Sequence, residues 1–221
     1  GSSLYHYFHI MAITNQYAFN KPPISILLVI PALFLFGYLA QRYSGFSYVY
    51  QYAISIVLAI FVSLRFDKDI VSLERIVSRS GHPVERLSVF LFPVVVVLSI
   101  YFIITYAFHT SLLYPLFSSH GRVSGFELFP LMFIIVVPMA EIFFRGFLQR
   151  NLSGLMGDKA GFILSAVVFG LFAWFSGSKL VIAVYFILGL YLGYLYYKYH
   201  SVFLTMINHA VVILFMFILK Y

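Results

Sequence analysis

The chain repeatedly runs for about twenty residues with almost nothing but apolar side chains, and that pattern limits its fold more than any other feature. A helix needs ~20 mostly apolar residues to cross a ~30 Å hydrocarbon core. Seven windows approach this: Ile24–Ala40, Ser47–Leu64, Leu87–Phe108, Phe126–Phe144, Ala160–Phe175, Leu180–Tyr197 and Val202–Leu219. Strands of a barrel would alternate over ~10 residues, whereas Val94 to Leu98 and Phe133 to Val137 are apolar without a break. The composition agrees, with 62% of the 221 residues hydrophobic and 10% charged, against roughly 45–50% and 25% in soluble domains. A water-facing globule, a disordered chain and a cytosolic enzyme are thereby excluded, and the excess of 14 Lys and Arg over 7 Asp and Glu reads as membrane orientation, with no nucleic-acid partner expected. Cysteine is absent, so neither a disulfide scaffold nor a thiolate metal site can be built.

The expected fold is an all-α, polytopic membrane helical bundle of about seven transmembrane helices. An N-terminal region, residues 1–23, precedes a single membrane domain at 24–221. In that region Gly1-Ser2-Ser3 reads as a tag scar, and Leu4–Asn20 mixes His6, His9, Asn15 and Gln16 with aromatics, as an interfacial segment would. The hydrophilic stretch Arg65 to Arg86 spaces Ile70, Leu73, Ile76 and Val77 on roughly one helical face, predicting a connector helix on the membrane surface. Assigned to alternate sides of seven spans, the 14 cationic residues divide ten to four. That division predicts a protein integral to the cell membrane with its N-terminus cytoplasmic and its C-terminus outside.

Ionisable residues inside a span cost at least ~2.5 kcal/mol at the bilayer centre. Two draw attention, Glu141 and His209. Glu141 precedes Arg145 by four residues, so both share a helical face and can pair. The pair can be a structural staple at the cytoplasmic end of the fourth span or part of an active site. His209 follows Asn208 in the last span and can be a base, a ligand or a hydrogen-bonded helix contact. One His and one paired carboxylate fall short of the three protein ligands of a catalytic zinc, so no metal and no cofactor are expected. Gly189 and Gly193 form a small-residue ridge for close helix approach, and Pro138 predicts a kink one turn before Glu141.

Taken together, Glu141-Ile142-Phe143-Phe144-Arg145-Gly146 resembles the first motif, Glu-Glu-x-x-x-Arg, of the CAAX-protease and bacteriocin-processing (CPBP) intramembrane protease family. The stretch Phe169 to Ala173 resembles its second motif, Phe-x-x-x-His, and His209 to Ile213 its third, His-x-x-x-Asn. The resemblance covers residues 126–221 and implies a CPBP-like core there, with Glu141, Arg145 and His209 as candidate catalytic residues. In active members the first Glu and the second-motif His activate a water, and the third-motif His and Asn support the oxyanion. Here those positions carry Ala140, Ala173, His209 and Ile213. The resemblance therefore implies a pseudoprotease that binds or assembles in the bilayer, with another membrane protein or a membrane-tethered peptide as partner. The alternative is a CAAX-type intramembrane endopeptidase, either inactivated by engineering or using a divergent base such as Glu141 with His209. A transporter or channel subunit ranks third, since no paired interrupted helices or polar pathway is visible.

Overall fold

The computed structural model describes residues 24–43, 48–68, 70 and 130–220, and all regular structure among them is helical. The expected span at Leu87–Phe108, the segment Leu4–Asn20 and nearly all of the expected surface helix after Ile70 lie outside the described residues. Six helices follow in chain order: α1 Ile24–Tyr43, α2 Tyr48–Leu64, α3 Leu131–Met156, α4 Asp158–Phe172, α5 Lys179–Tyr199 and α6 Val202–Lys220. Four of these, α1, α3, α5 and α4 with its continuing turn Ala173–Ser176, are long and apolar enough to cross a membrane. The shorter apolar stretches Tyr50–Leu64 and Val202–Phe215 lie in α2 and α6.

Chain breaks fall where the sequence supplies them. Gly157, at φ +86°, takes a conformation closed to most L residues and separates α3 from α4. Ser178 caps α5 by accepting from the Val181 N–H at 3.4 Å, and α5 ends where the His200 N–H bonds back to the Tyr196 carbonyl at 2.8 Å. The residues Arg65–Lys68 form turns rather than the start of the expected surface helix. Ile70 explains the difference: it is buried against the α3 backbone at Gly146, so it faces protein, not a membrane surface.

The largest correction concerns the fourth span. A hydropathy window closes at Phe144 because Arg145, Gln149, Arg150 and Asn151 follow, but α3 runs on to Met156. Arg145, Gln149 and Asn151 are buried, their polar groups turned into the bundle. Glu141 accordingly stands in the middle of α3 and not at its end. This is the most enclosed of the long helices, 61% buried against 28% for α1, and α2, α4, α5 and α6 all pack on it. Two of its stretches, Leu131–Val136 and Ile142–Gln149, are π-helical. Pro138 lies two residues beyond the end of the first, just after Val137, whose N–H bonds five residues back to Met132. A wider turn there accommodates a residue that has no N–H to give.

The expected glycine ridge is used for close packing. A Cβ added at Gly189 would sit 3.1 Å from the Ala166 Cα, so α4 and α5 meet nearly backbone to backbone. Gly170 repeats the device from the other side, with the Phe186 Cβ 2.8 Å from its own would-be Cβ. Fixed in this way, α4 and α5 form one wall against which α3 presents its polar side chains.

Candidate functional site

The centre of the bundle holds a carboxylate, a guanidinium and an imidazole. Glu141 and Arg145 come from α3, where the four-residue spacing places them on one face as expected. The Arg145 Nε donates to Glu141 Oε2 at 3.3 Å, and both side chains are wholly buried. From α6, His209 brings its Nδ1 to 2.7 Å from Glu141 Oε1. It is 3% exposed, so it points into the protein and not at lipid. The three candidate residues, up to 68 positions apart in the chain, thus form one contiguous cluster.

Further residues support this cluster. Arg145 Nη1 donates to the Ser165 hydroxyl of α4 at 3.3 Å, and that hydroxyl donates in turn to the Phe144 carbonyl at 2.9 Å. The guanidinium carbon stands 5.4 Å from the centre of the Phe169 ring, a cation–π contact that offsets part of the cost of burying the charge. The same ring meets His209 edge-on, with centroids 6.0 Å apart. One turn beyond Arg145, Gln149 donates to the Gly193 carbonyl at 2.8 Å. A Cβ at Gly193 would lie 3.3 Å from Gln149 Oε1 and 3.5 Å from Arg145 Nη1, so the second ridge glycine makes room for polar groups of α3. Asn208 ties α6 to α5 by accepting from the Tyr191 hydroxyl at 2.9 Å while donating to Leu204 at 2.8 Å. Tyr52 of α2 is buried within electrostatic reach of Glu141 and Arg145.

Sequence reasoning did not single out Ser165, Gln149 or Tyr52. Serine is common at helix contacts, Gln149 fell outside the fourth window, and Tyr52 is one of 18 tyrosines. Their polarity at positions otherwise apolar was the one available signal.

The remaining family positions are equally interior. Ala140 and Ala173 are fully buried, Ile213 is 6% exposed, and all three join the apolar core. Glu141 and His209 lie nine and seven residues from Arg150 and Val202, which places the cluster about 10–13 Å below that end of the bundle. The same end carries Arg150, paired with Asp67 at 3.6 Å, together with Arg65, Lys68, Lys159 and Lys198.

A paired Glu and Arg on one helix, answered by a His from the last helix in a membrane-type bundle, is the arrangement that the motif resemblance requires. Residues 122–215 match the family model of type II CAAX prenyl endopeptidase Rce1-like proteins. This Rce1-like family lies within the CPBP family that the motifs resemble. The Rce1-like match spans α3, α4, α5 and α6 as far as Phe215, and with it all three members of the cluster; α1 and α2 lie outside it. No curated protein and no solved structure matches the chain. The Rce1-like match and the apolar helices together indicate a membrane-integrated, CAAX-protease-like protein.

No group of three or more His, Cys, Asp or Glu that could hold a metal ion occurs among the described residues. Chemically, the cluster can hold a buried negative charge between two hydrogen-bonding partners. Its members already engage one another.

Proposed function

We propose that the chain is a membrane-embedded, CPBP-like pseudoprotease that serves as a binding or assembly subunit for another membrane protein or a membrane-tethered peptide. One observation carries this reading. The carboxylate of Glu141 is wholly buried and bonded through Oε1 to His209 and through Oε2 to Arg145, while Ala140 and Ala173 are buried methyl groups at the positions that the resemblance assigns to water activation. A general base needs a lone pair free to take a proton from a water within hydrogen-bond reach. Neither alanine can supply one. The orientation that goes with this reading has the N-terminus and the Arg150 end of the bundle in the cytoplasm. The exposed cations Arg65, Lys68, Lys159 and Lys198 at that end support it.

The test is incubation of the protein in lipid nanodiscs with a prenylated peptide, alongside recovery of the protein from mild detergent. The expected result is no cleavage, together with stoichiometric co-purification of a second membrane protein. Sequencing the native gene at codons 140 and 173 adds an independent check: alanine codons exclude engineered inactivation.

A second reading is supported by the 2.7 Å contact between Glu141 and His209, which is short enough for proton transfer. In it the protein is an intramembrane endopeptidase with a divergent base. Cleavage by the unaltered protein that disappears in Glu141→Gln would establish this reading and overturn the first.

A further inference from the structure

Where α4 and α5 reach the Arg150 end of the bundle they share a face that is cationic at the rim and apolar beneath it. The two helices run antiparallel and nearly touch at one level, where a Cβ on Gly193 would stand 3.5 Å from the Phe162 carbonyl oxygen. From that level toward the rim, Lys159 lies three residues along α4 and Lys198 five along α5, about 4.5 and 7.5 Å. The two lysines thus stand at nearly the same height. Spacings of three and four residues put Lys159, Phe162 and Ile163 on one face of α4, and Tyr194, Tyr197 and Lys198 on one face of α5. Ring contacts join these faces, Phe162 to Tyr197 at 5.9 Å between centroids and Tyr197 to Tyr194 at 6.3 Å. Both lysines are exposed at the rim, and beneath them Ile163 and Tyr194 are 45% and 50% exposed. Lys198 holds its ammonium 5.0 Å from the centre of the Tyr199 ring. With 21 residues, α5 is about 30 Å long, the thickness of the hydrocarbon core, so this rim falls at headgroup level. The one acidic residue of the two helices, Asp158, points about 100° around α4 from Lys159.

We propose that this face binds one anionic phospholipid, with Lys159 and Lys198 on its phosphodiester and Tyr194 and Ile163 against the upper part of an acyl chain. Charge selects the headgroup. Two cations on a face that Asp158 does not share favour a lipid of net negative charge over a zwitterionic one, whose own ammonium offsets its phosphate. The apolar lower part selects a lipid over a soluble anion, because a chain laid on Ile163 and Tyr194 adds contacts that free phosphate cannot make. Tyrosine suits this depth, with an apolar ring toward the chain and a hydroxyl toward the headgroup. The proposal requires only that the bundle is embedded in a bilayer. Neither lysine belongs to the Glu141 cluster, so it stands under either functional reading and on either side of the membrane.

Native mass spectrometry of the purified protein in detergent, titrated with dioleoyl phosphatidylglycerol or with dioleoyl phosphatidylcholine, tests it. The first phosphatidylglycerol should bind about tenfold or more tightly than the first phosphatidylcholine. Lys159→Gln and Lys198→Gln should each weaken phosphatidylglycerol binding about fivefold, and the double variant about twentyfold, with little change for phosphatidylcholine. Both side chains are exposed, so these variants should fold. Lys179→Gln, which removes an exposed cation at the opposite end of α5, should leave both affinities as they were. Inorganic phosphate in large excess should fail to displace the bound lipid. Equal affinity for the two lipids, a double lysine variant that binds as the unaltered protein does, or an equal loss in Lys179→Gln would each overturn the proposal. Displacement by inorganic phosphate would overturn it in favour of a site for a free anion.

Discussion

Removing one or the other member of the Glu141–Arg145 pair should have unequal consequences, and the inequality follows from His209. In Glu141→Gln the guanidinium keeps its charge, because arginine does not lose its proton in proteins. It is wholly buried, and its remaining contacts are the Ser165 hydroxyl and the Phe169 ring. Leaving a buried charge without its partner costs about 3–5 kcal/mol. In Arg145→Met the orphan is the carboxylate, which has His209 at 2.7 Å. That hydrogen-bonding partner remains in the variant, so the loss should be smaller, about 2–3 kcal/mol, within the range of one lost hydrogen bond to a charged group. The double variant Glu141→Gln/Arg145→Met contains no orphaned charge and should lose less than the two single losses added together, with a coupling of about 1–3 kcal/mol. Equilibrium unfolding by sodium dodecyl sulfate in mixed micelles, followed by helical circular dichroism, measures all four forms. Equal losses in the two single variants would refute the assignment of His209 as the carboxylate's remaining partner. Additive losses in the double variant would refute the pair itself.

Other substitutions probe the packing. Gly170→Ala places a methyl group 2.8 Å from the Phe186 Cβ and should cost about 1–3 kcal/mol, whereas Gly193→Ala, whose nearest neighbour is the Gln149 Oε1 at 3.3 Å, should cost less; thermal unfolding in detergent orders the two. Asn208→Leu removes the acceptor for the Tyr191 hydroxyl and leaves that phenol without its partner on α6, for an expected loss of about 1–3 kcal/mol in the same assay. Asp67→Asn weakens a partly exposed ion pair with Arg150 and should change stability by less than about 1 kcal/mol, less so still at high salt.

The sequence made the helices legible because membrane solvation imposes one rule, a long apolar run, and the bounds of α2, α4, α5 and α6 lie within a few residues of the windows. It failed at α3 for the converse reason. A window reads Arg145, Gln149 and Asn151 as the edge of the hydrocarbon, but each finds a partner inside the protein: Glu141, the Gly193 carbonyl and the Phe147 carbonyl. Hydropathy has no account of partners 44 positions away. The pairing of Glu141 with Arg145 was legible from spacing on one helix, while its junction with His209 needed the family resemblance, because only the fold brings α6 beside α3. Ser165 and Tyr52 were not legible at all: nothing in a single polar residue on an apolar helix tells which neighbour it faces.

The buried charges of Glu141, Arg145 and His209 also bear on what the cluster is for. A buried ion pair is not the most stable way to fill a core; well-packed apolar residues of similar volume are often as stable or better by 1–4 kcal/mol, roughly. Beside this cluster, Ala140, Ala173 and Ile213 are buried among apolar neighbours. If Glu141, Arg145 and His209 served stability alone, the apolar triple variant Glu141→Met/Arg145→Met/His209→Phe should fold, keep its melting temperature within a few degrees, and keep the membrane partner proposed above. If the cluster shapes the surface or helix register that a partner recognises, the same variant should fold and melt normally yet fail to co-purify that partner. Retention of the partner at full stoichiometry would confine the three residues to a packing role and remove them from the binding site.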